Sequence, residues 1–213
     1  MTLSLSILIP SVTERLEHFS RTYGELSRQA GNLPVEVLAI VDNKRRTTGA
    51  KRNELVALSR GAYVVFVDDD DRVTEDYVRS LLDGVEARPD CVLFDVMVHI
   101  SGQEPRICRY DPSYDHVNLP NEYRRRPNHV MCYARQIAIR HPYADISYGE
   151  DTEWATRASR DIRRVHRIPR VLYHYDVIEK SPSWYFPPGK TTTPASSPVM
   201  KSATALGLKE RDT

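Results

Sequence analysis

Short apolar runs rich in β-formers alternate with amphipathic stretches through residues 1–90, and this alternation leaves few folds open. Residues 5–9 read as a buried strand ended by Pro10. Over residues 14–29 the apolar side chains Leu16, Phe19, Tyr23 and Leu26 share one helical face. Residues 35–41 form a second strand that closes on Asp42 and Asn43, and after a polar loop residues 50–59 have helical spacing. Residues 63–67 are a third strand, almost wholly apolar. Thr74 is placed to cap a helix whose buried face is Tyr77, Val78, Leu81, Leu82 and Val85. Strand and helix in strict alternation imply an α/β fold, a mostly parallel sheet flanked by helices. Such sheets bind ligands at the carboxyl ends of their strands. Asp42 and residues 68–71 both fall at such ends and are expected to be neighbours in space.

The second half is less regular. Residues 91–100 are a long β-rich run interrupted by Asp95, and residues 101–128 are polar, proline-containing and read mostly as loop. Residues 129–139 fit a strand entering a short helix. Gly149 starts a helical stretch with Trp154, Ala155 and Ala158, and residues 171–177 fit a strand. Beyond Pro187 the chain is rich in Thr, Ser, Pro and Ala, which predicts a flexible tail over residues 187–213.

The strongest local signal is the run Phe66-Val67-Asp68-Asp69-Asp70-Asp71. Adjacent carboxylates repel, so the run costs folding energy unless positive charge compensates it. A hard divalent cation, Mn2+ or Mg2+, held by one or two carboxylates and completed by phosphate oxygens is the natural partner. A solvated acidic turn capping the next helix is the plain rival. A calcium loop counted from Asp68 would need Gly at 73 and Glu at 79, where Val73 and Arg79 stand.

The order Ser6-Ile7-Leu8-Ile9-Pro10, Val41-Asp42-Asn43, Gly49-Ala50-Lys51-Arg52-Asn53 and the aspartate run resembles family 2 glycosyltransferases with the GT-A fold, a Rossmann-like nucleotide-diphospho-sugar transferase architecture. Gly149-Glu150-Asp151 extends the match, which covers roughly residues 4–177. The resemblance implies one domain over residues 1–186, with a donor-nucleotide half (1–100) and an acceptor half (101–186). It implies a nucleotide-sugar donor, typically a UDP-sugar. Pro10, Ser11 and Asp42 match positions that contact base and ribose, and Arg52 and Asn53 a pair near the donor. Asp68 and Asp70 match the DxD motif, which holds the ribose and the metal, with Asp69 on the donor and Asp71 joining the metal. Asp151, beside Glu150, matches the general base of inverting members. His174, in Tyr173-His174-Tyr175, matches a histidine supplied to metal or diphosphate.

The chemistry suits these residue types. A cation neutralises charge growing on a diphosphate leaving group. The attacking hydroxyl must lose a proton to a carboxylate or histidine within reach, and a first-turn acid sits where the helix dipole favours the carboxylate. Each assignment has a structural rival: Asp42 as a strand-ending turn residue, Arg52 as an exposed helix cation, Glu150 and Asp151 as ordinary first-turn acids, His174 as a satisfied strand histidine. His129 and His166 carry no strong claim.

Basic clusters at Lys44-Arg45-Arg46, at Arg124-Arg125-Arg126 and at Arg163, Arg164 and Arg167 read first as solvated surface. They also admit donor phosphates, or a polyanionic acceptor such as hydroxymethylated DNA beside a glycan. A net charge of +1 gives no global case for nucleic acid or membrane. Three cysteines without a CxxC pair argue against a disulfide framework or a structural zinc, and a reducing cytoplasm is expected. No apolar stretch reaches the roughly 20 residues of a transmembrane helix, and no secretory leader is visible. A nucleotidyltransferase is the rival enzyme, but residues 11–15 hold no glycine for its phosphate loop. A metal- and nucleotide-binding module without catalysis is the rival outside enzymes.

Overall fold

The computed structural model describes residues 3–177, so the tail expected over 187–213 lies outside the described residues. The chain runs β1 (Leu5–Val12), a 3-10 turn, α1 (Leu16–Ala30), β2 (Val35–Asp42), α2 (Thr48–Leu58) and β3 (Tyr63–Phe66). It continues through β4 (Arg72–Val73), α3 (Tyr77–Val85), β5 (Cys91–Ile100), β6 (Arg106–Tyr110), β7 (Val117–Asn118) and β8 (Glu122–Arg125). It ends with β9 (Cys132–Ala134), α4 (Arg135–Arg140), α5 (Glu150–Ala158) and β10 (Val165–Val177).

β2, β1 and β3 are parallel neighbours, and β9 joins β3 to β5 as the antiparallel link. β10 runs parallel along one edge of β5, while β9 and then β6 share the other. Leu5, Ile7, Leu8 and Ile9 of β1 are all buried, as are Val64, Val65 and Phe66 of β3. Strands covered on both faces read as continuous apolar runs, which is why the sequence shows no alternation there. The result is the expected α/β architecture, a mostly parallel sheet flanked by helices.

Three local expectations change. β1 does not stop at Pro10. Its partner β3 ends opposite Leu8, whose carbonyl accepts from Val67 N, so the donor that Pro10 lacks faces a side with no strand. Residues 101–128 are not mostly loop, since they hold β6, β7 and β8. Tyr123 of β8 is fully buried beneath the Arg106 and Arg125 guanidiniums, 4.4 and 5.4 Å from its ring, so arginine stems cover an apolar site and hide the alternation. β10 begins at Val165 rather than 171, because pairing with Cys91 onward starts there and absorbs Pro169 in a register shift.

Candidate active site

The carboxyl ends of β1, β2 and β3 converge as expected, and Ser11 joins them. Ser11 is buried, and its hydroxyl donates to Asp69 Oδ2 at 2.6 Å. Its carbonyl accepts from Lys51 Nζ at 2.7 Å, and the same ammonium reaches Asp42 Oδ1 at 3.1 Å. Asp42 also accepts from the backbone N–H groups of Lys44 and Arg46. Burial pushes its carboxyl up, but these hydrogen bonds and the Lys51 charge outweigh burial and hold it below the usual range. Pro10 stands one residue before Ser11, in register with Ile40.

Each member of the aspartate run meets a different partner. Arg15 Nη1 lies 3.0 Å from Asp69 Oδ1 and 2.9 Å from Asp70 Oδ2, so one guanidinium spans two carboxylates. Asp68 Oδ1 meets Arg52 Nη2 at 3.0 Å, and Asp68 Oδ2 lies 3.0 Å from His129 Nε2. Asp71 is buried and accepts from the Tyr173 hydroxyl at 2.6 Å and from Asp176 N at 3.1 Å. That Tyr173 oxygen also accepts from Asp68 N at 3.1 Å, which ties both ends of the run to β10.

The electrostatic consequences diverge. Burial raises the Asp68 carboxyl, yet His129 and Arg52 overcome it and hold it well below the ordinary range. Asp70 is pushed up by burial and by the charge of Asp68. Asp71 is pushed well up, by burial first and then by Asp68. Negative charge is thus compensated unevenly along the run, well at Asp68 and less at Asp70 and Asp71.

The start of α5 closes on the same point. Gly149 caps the helix at φ 79°, a left-handed conformation that glycine adopts without strain. Glu150 Oε1 is 3.3 Å from Arg52 Nε, and Asp151 Oδ2 is 3.5 Å from His129 Nδ1. Arg52 is buried, its guanidinium carbon 4.9 Å from the Phe66 ring centroid. Asp68 is therefore joined to Glu150 through Arg52 and approaches Asp151 through His129.

Asn53 serves this arrangement from behind. Its amide donates to Tyr143 O at 2.9 Å and accepts from Tyr143 N at 2.7 Å, tethering the segment that leads to Gly149. Tyr143 stacks on the buried Trp154 with centroids 4.8 Å apart. His174 lines a cavity of about 310 Å3 with Asp71, Arg21, Thr22 and Arg72, and its Nδ1 lies 3.1 Å from His99 Nε2.

The sequence patterns gave no role to Arg15, Lys51 or His129. Lys51 sits inside the Gly49-to-Asn53 segment, but a lysine on a helix reads as solvated. His129 lies in an irregular stretch, and nothing in its spacing ties it to residues 61 positions earlier and 22 later.

Most of the basic clusters are spent locally. Lys44 pairs with Glu14, Arg46 with Asp42 and Glu54, Arg124 with Glu122, Arg126 with Asp115 and Arg167 with Asp111. Among the described residues no helix is long and apolar enough to cross a membrane. Among them, too, no group of three His, Cys, Asp or Glu side chains is assembled to hold a metal ion.

A family model described as glycosyl transferase family 2 matches residues 7–147. No curated protein sequence matches the chain significantly. Among solved structures, S. aureus TarS 1–349 in complex with UDP-GlcNAc is similar with a TM-score of 0.60 at 11% identity, covering 84% of this chain and 60% of that one. The same TarS segment in complex with UDP gives 0.60 at 14%, covering 82% and 61%. A further S. aureus TarS structure gives 0.59 at 15%, with 82% of this chain and 37% of that one. The chain thus spans about 60% of TarS 1–349, and at these identities the likeness is one of fold.

Proposed function

The chain belongs to glycosyl transferase family 2, and we propose that it moves a sugar from a nucleotide-sugar donor to a hydroxyl acceptor. A UDP-sugar is the donor we favour, because UDP-GlcNAc and UDP are bound in the TarS structures of similar fold. One observation carries the reading. The aspartate run at the end of β3 and the acids at the start of α5 form a single network, centred on Asp68. A transferase needs this juxtaposition, with donor-binding groups and an acceptor base on one cleft.

In this reading the described residues, 3–177, form one domain whose donor half supplies Pro10, Ser11, Asp42, Arg52, Asp68 and Asp69, and the remainder of the expected span 1–186 lies outside the described residues. Asp42 and Ser11, held together by Lys51, face base and ribose. Asp151 accepts the proton of the acceptor hydroxyl as that oxygen attacks the anomeric carbon. The carbon–oxygen bond to the diphosphate breaks with its electron pair on the leaving phosphate, and direct displacement inverts the centre. Glu150 fixes Arg52 behind Asp68.

This reading places a divalent cation at Asp70, in exchange for its ion pair with Arg15. Its carboxyl is raised by burial and by like charge, the condition a doubly charged ion relieves. Asp70 would hold Mn2+ or Mg2+, and the ion would supply positive charge toward the departing diphosphate. Asp71 already accepts two hydrogen bonds and His174 pairs with His99, so both stand behind Asp70 as ligands. The local pairing of the basic clusters favours an uncharged acceptor such as a glycan over DNA.

A thermal-shift panel of nucleotide-sugars with and without Mn2+ tests donor and metal together. Ligand at about 100 times its dissociation constant stabilises by about 2.7 kcal/mol. The expected result is a shift with a UDP-sugar that grows with Mn2+ and survives in Asp151→Asn, while that variant loses turnover. No shift with any nucleotide-sugar removes the reading, and full turnover in Asp151→Asn removes the base.

A further inference from the structure

We propose that His129 is a positioning residue for Asp151, holding that carboxylate in register with Asp68. The inference rests on the glycosyl-transfer reading and extends it to a residue outside the aspartate run and the α5 acids. His129 is about 6% exposed, and its carbonyl accepts from Phe66 N at 3.1 Å, which pins it to the end of β3. One ring nitrogen, Nε2, lies 3.0 Å from Asp68 Oδ2. The other, Nδ1, is buried without a hydrogen bond, and 3.5 Å from it lies Asp151 Oδ2.

A buried polar atom left unpaired costs about 1–3 kcal/mol, so its persistence needs a reason. Arg52 repeats the pattern, with Nη1 buried and unpaired while Nη2 and Nε meet Asp68 and Glu150. Both side chains that bridge the end of β3 to α5 thus hold a nitrogen without a hydrogen bond. In a site open to small shifts, a contact of 3.5 Å tightens to a hydrogen bond when the acceptor and donor are in place. His129 then sets the direction of the Asp151 lone pairs, and Asp151 does the chemistry.

Two amide variants separate the two contacts. A glutamine amide reaches the place of Nε2 and keeps Asp68 but drops Asp151. An asparagine amide reaches the place of Nδ1 and does the reverse. The expected result for His129→Gln is a kcat about 100-fold lower, with donor KM and the donor-induced thermal shift within about twofold of wild type. His129→Asn is expected to raise donor KM with the smaller loss in kcat. Wild-type kcat in His129→Gln, or equal loss of kcat and donor binding in both variants, overturns the proposal.

If neither variant folds, the ring nitrogen resonances of His129 in Asp151→Asn decide. They are expected to move at Nδ1 and stay at Nε2, and an unchanged Nδ1 overturns the contact. Failure of the glycosyl-transfer reading shows separately, as absence of turnover in the wild type with every nucleotide-sugar, while these resonances still report the contact.

Discussion

Asp68 is where charge, burial and hydrogen bonding meet most tightly, and its sign is worth following. Its folded pKa lies below the unfolded value of about 3.9 because His129 and Arg52 outweigh burial. The stability it contributes is fully present above that unfolded value and is lost as pH falls through the folded one. Urea unfolding from pH 7 downward is expected to show Asp68→Asn well below wild type at neutral pH, with the gap closing in acid; a constant gap contradicts the assignment. Lys51 makes a second test. Removing its ammonium leaves the Ser11 carbonyl and the Asp42 carboxylate short of a partner in a buried place. Lys51→Met is expected to lose about 1–3 kcal/mol in denaturant titrations and to weaken donor binding; unchanged stability would show that water replaces the ammonium. Neither residue's partners could be read along the chain, because a carboxylate's or lysine's environment comes from segments distant in sequence.

Elements position the site through close backbone contacts. Gly49, in the first turn of α2, donates from its N–H to Ile146 O at 3.0 Å, and a Cβ there would lie 1.8 Å from Ala144 O. The segment before α5 therefore rests on α2 with no room for a side chain. Gly49→Ala is expected to cost about 1–3 kcal/mol and to reduce turnover by displacing Asp151. Gly24, within α1, has open space around its Cβ direction, and Gly24→Ala is expected to stabilise by about 0.4–1 kcal/mol. Matched denaturation curves of the two variants check both signs, and a neutral Gly49→Ala would detach α2 from the positioning of α5. The helices of residues 1–90 and the strands β1, β2 and β3 were legible because their apolar periodicity is a local property. The strands β6, β7 and β8 were not, because β6 pairs with β5, β8 with β6 and β7 with β8, and arginine side chains lie over Tyr123.

At the scale of the whole molecule, a net charge of +1 and locally paired cations leave a weak field toward polyanions. Acceptor turnover is expected to change less than about threefold between 50 and 200 mM salt, whereas a protein neutralising 6–10 phosphates loses about 10³–10⁵ in affinity over that range. A steep salt dependence would restore the polyanion. The alternation of strands and helices in residues 1–90, the parallel sheet it implies and the acidic run at a strand's end follow from the sequence alone, since each is set by periodicity or by adjacent residues. Family membership was legible for the same reason, as short motifs in a fixed order. Tertiary structure alone decided which partner meets which aspartate: Arg15 for Asp69 and Asp70, Arg52 and His129 for Asp68, the Tyr173 hydroxyl for Asp71. Those pairings cross 16 to 102 positions of chain, and only packing of the sheet fixes such distances.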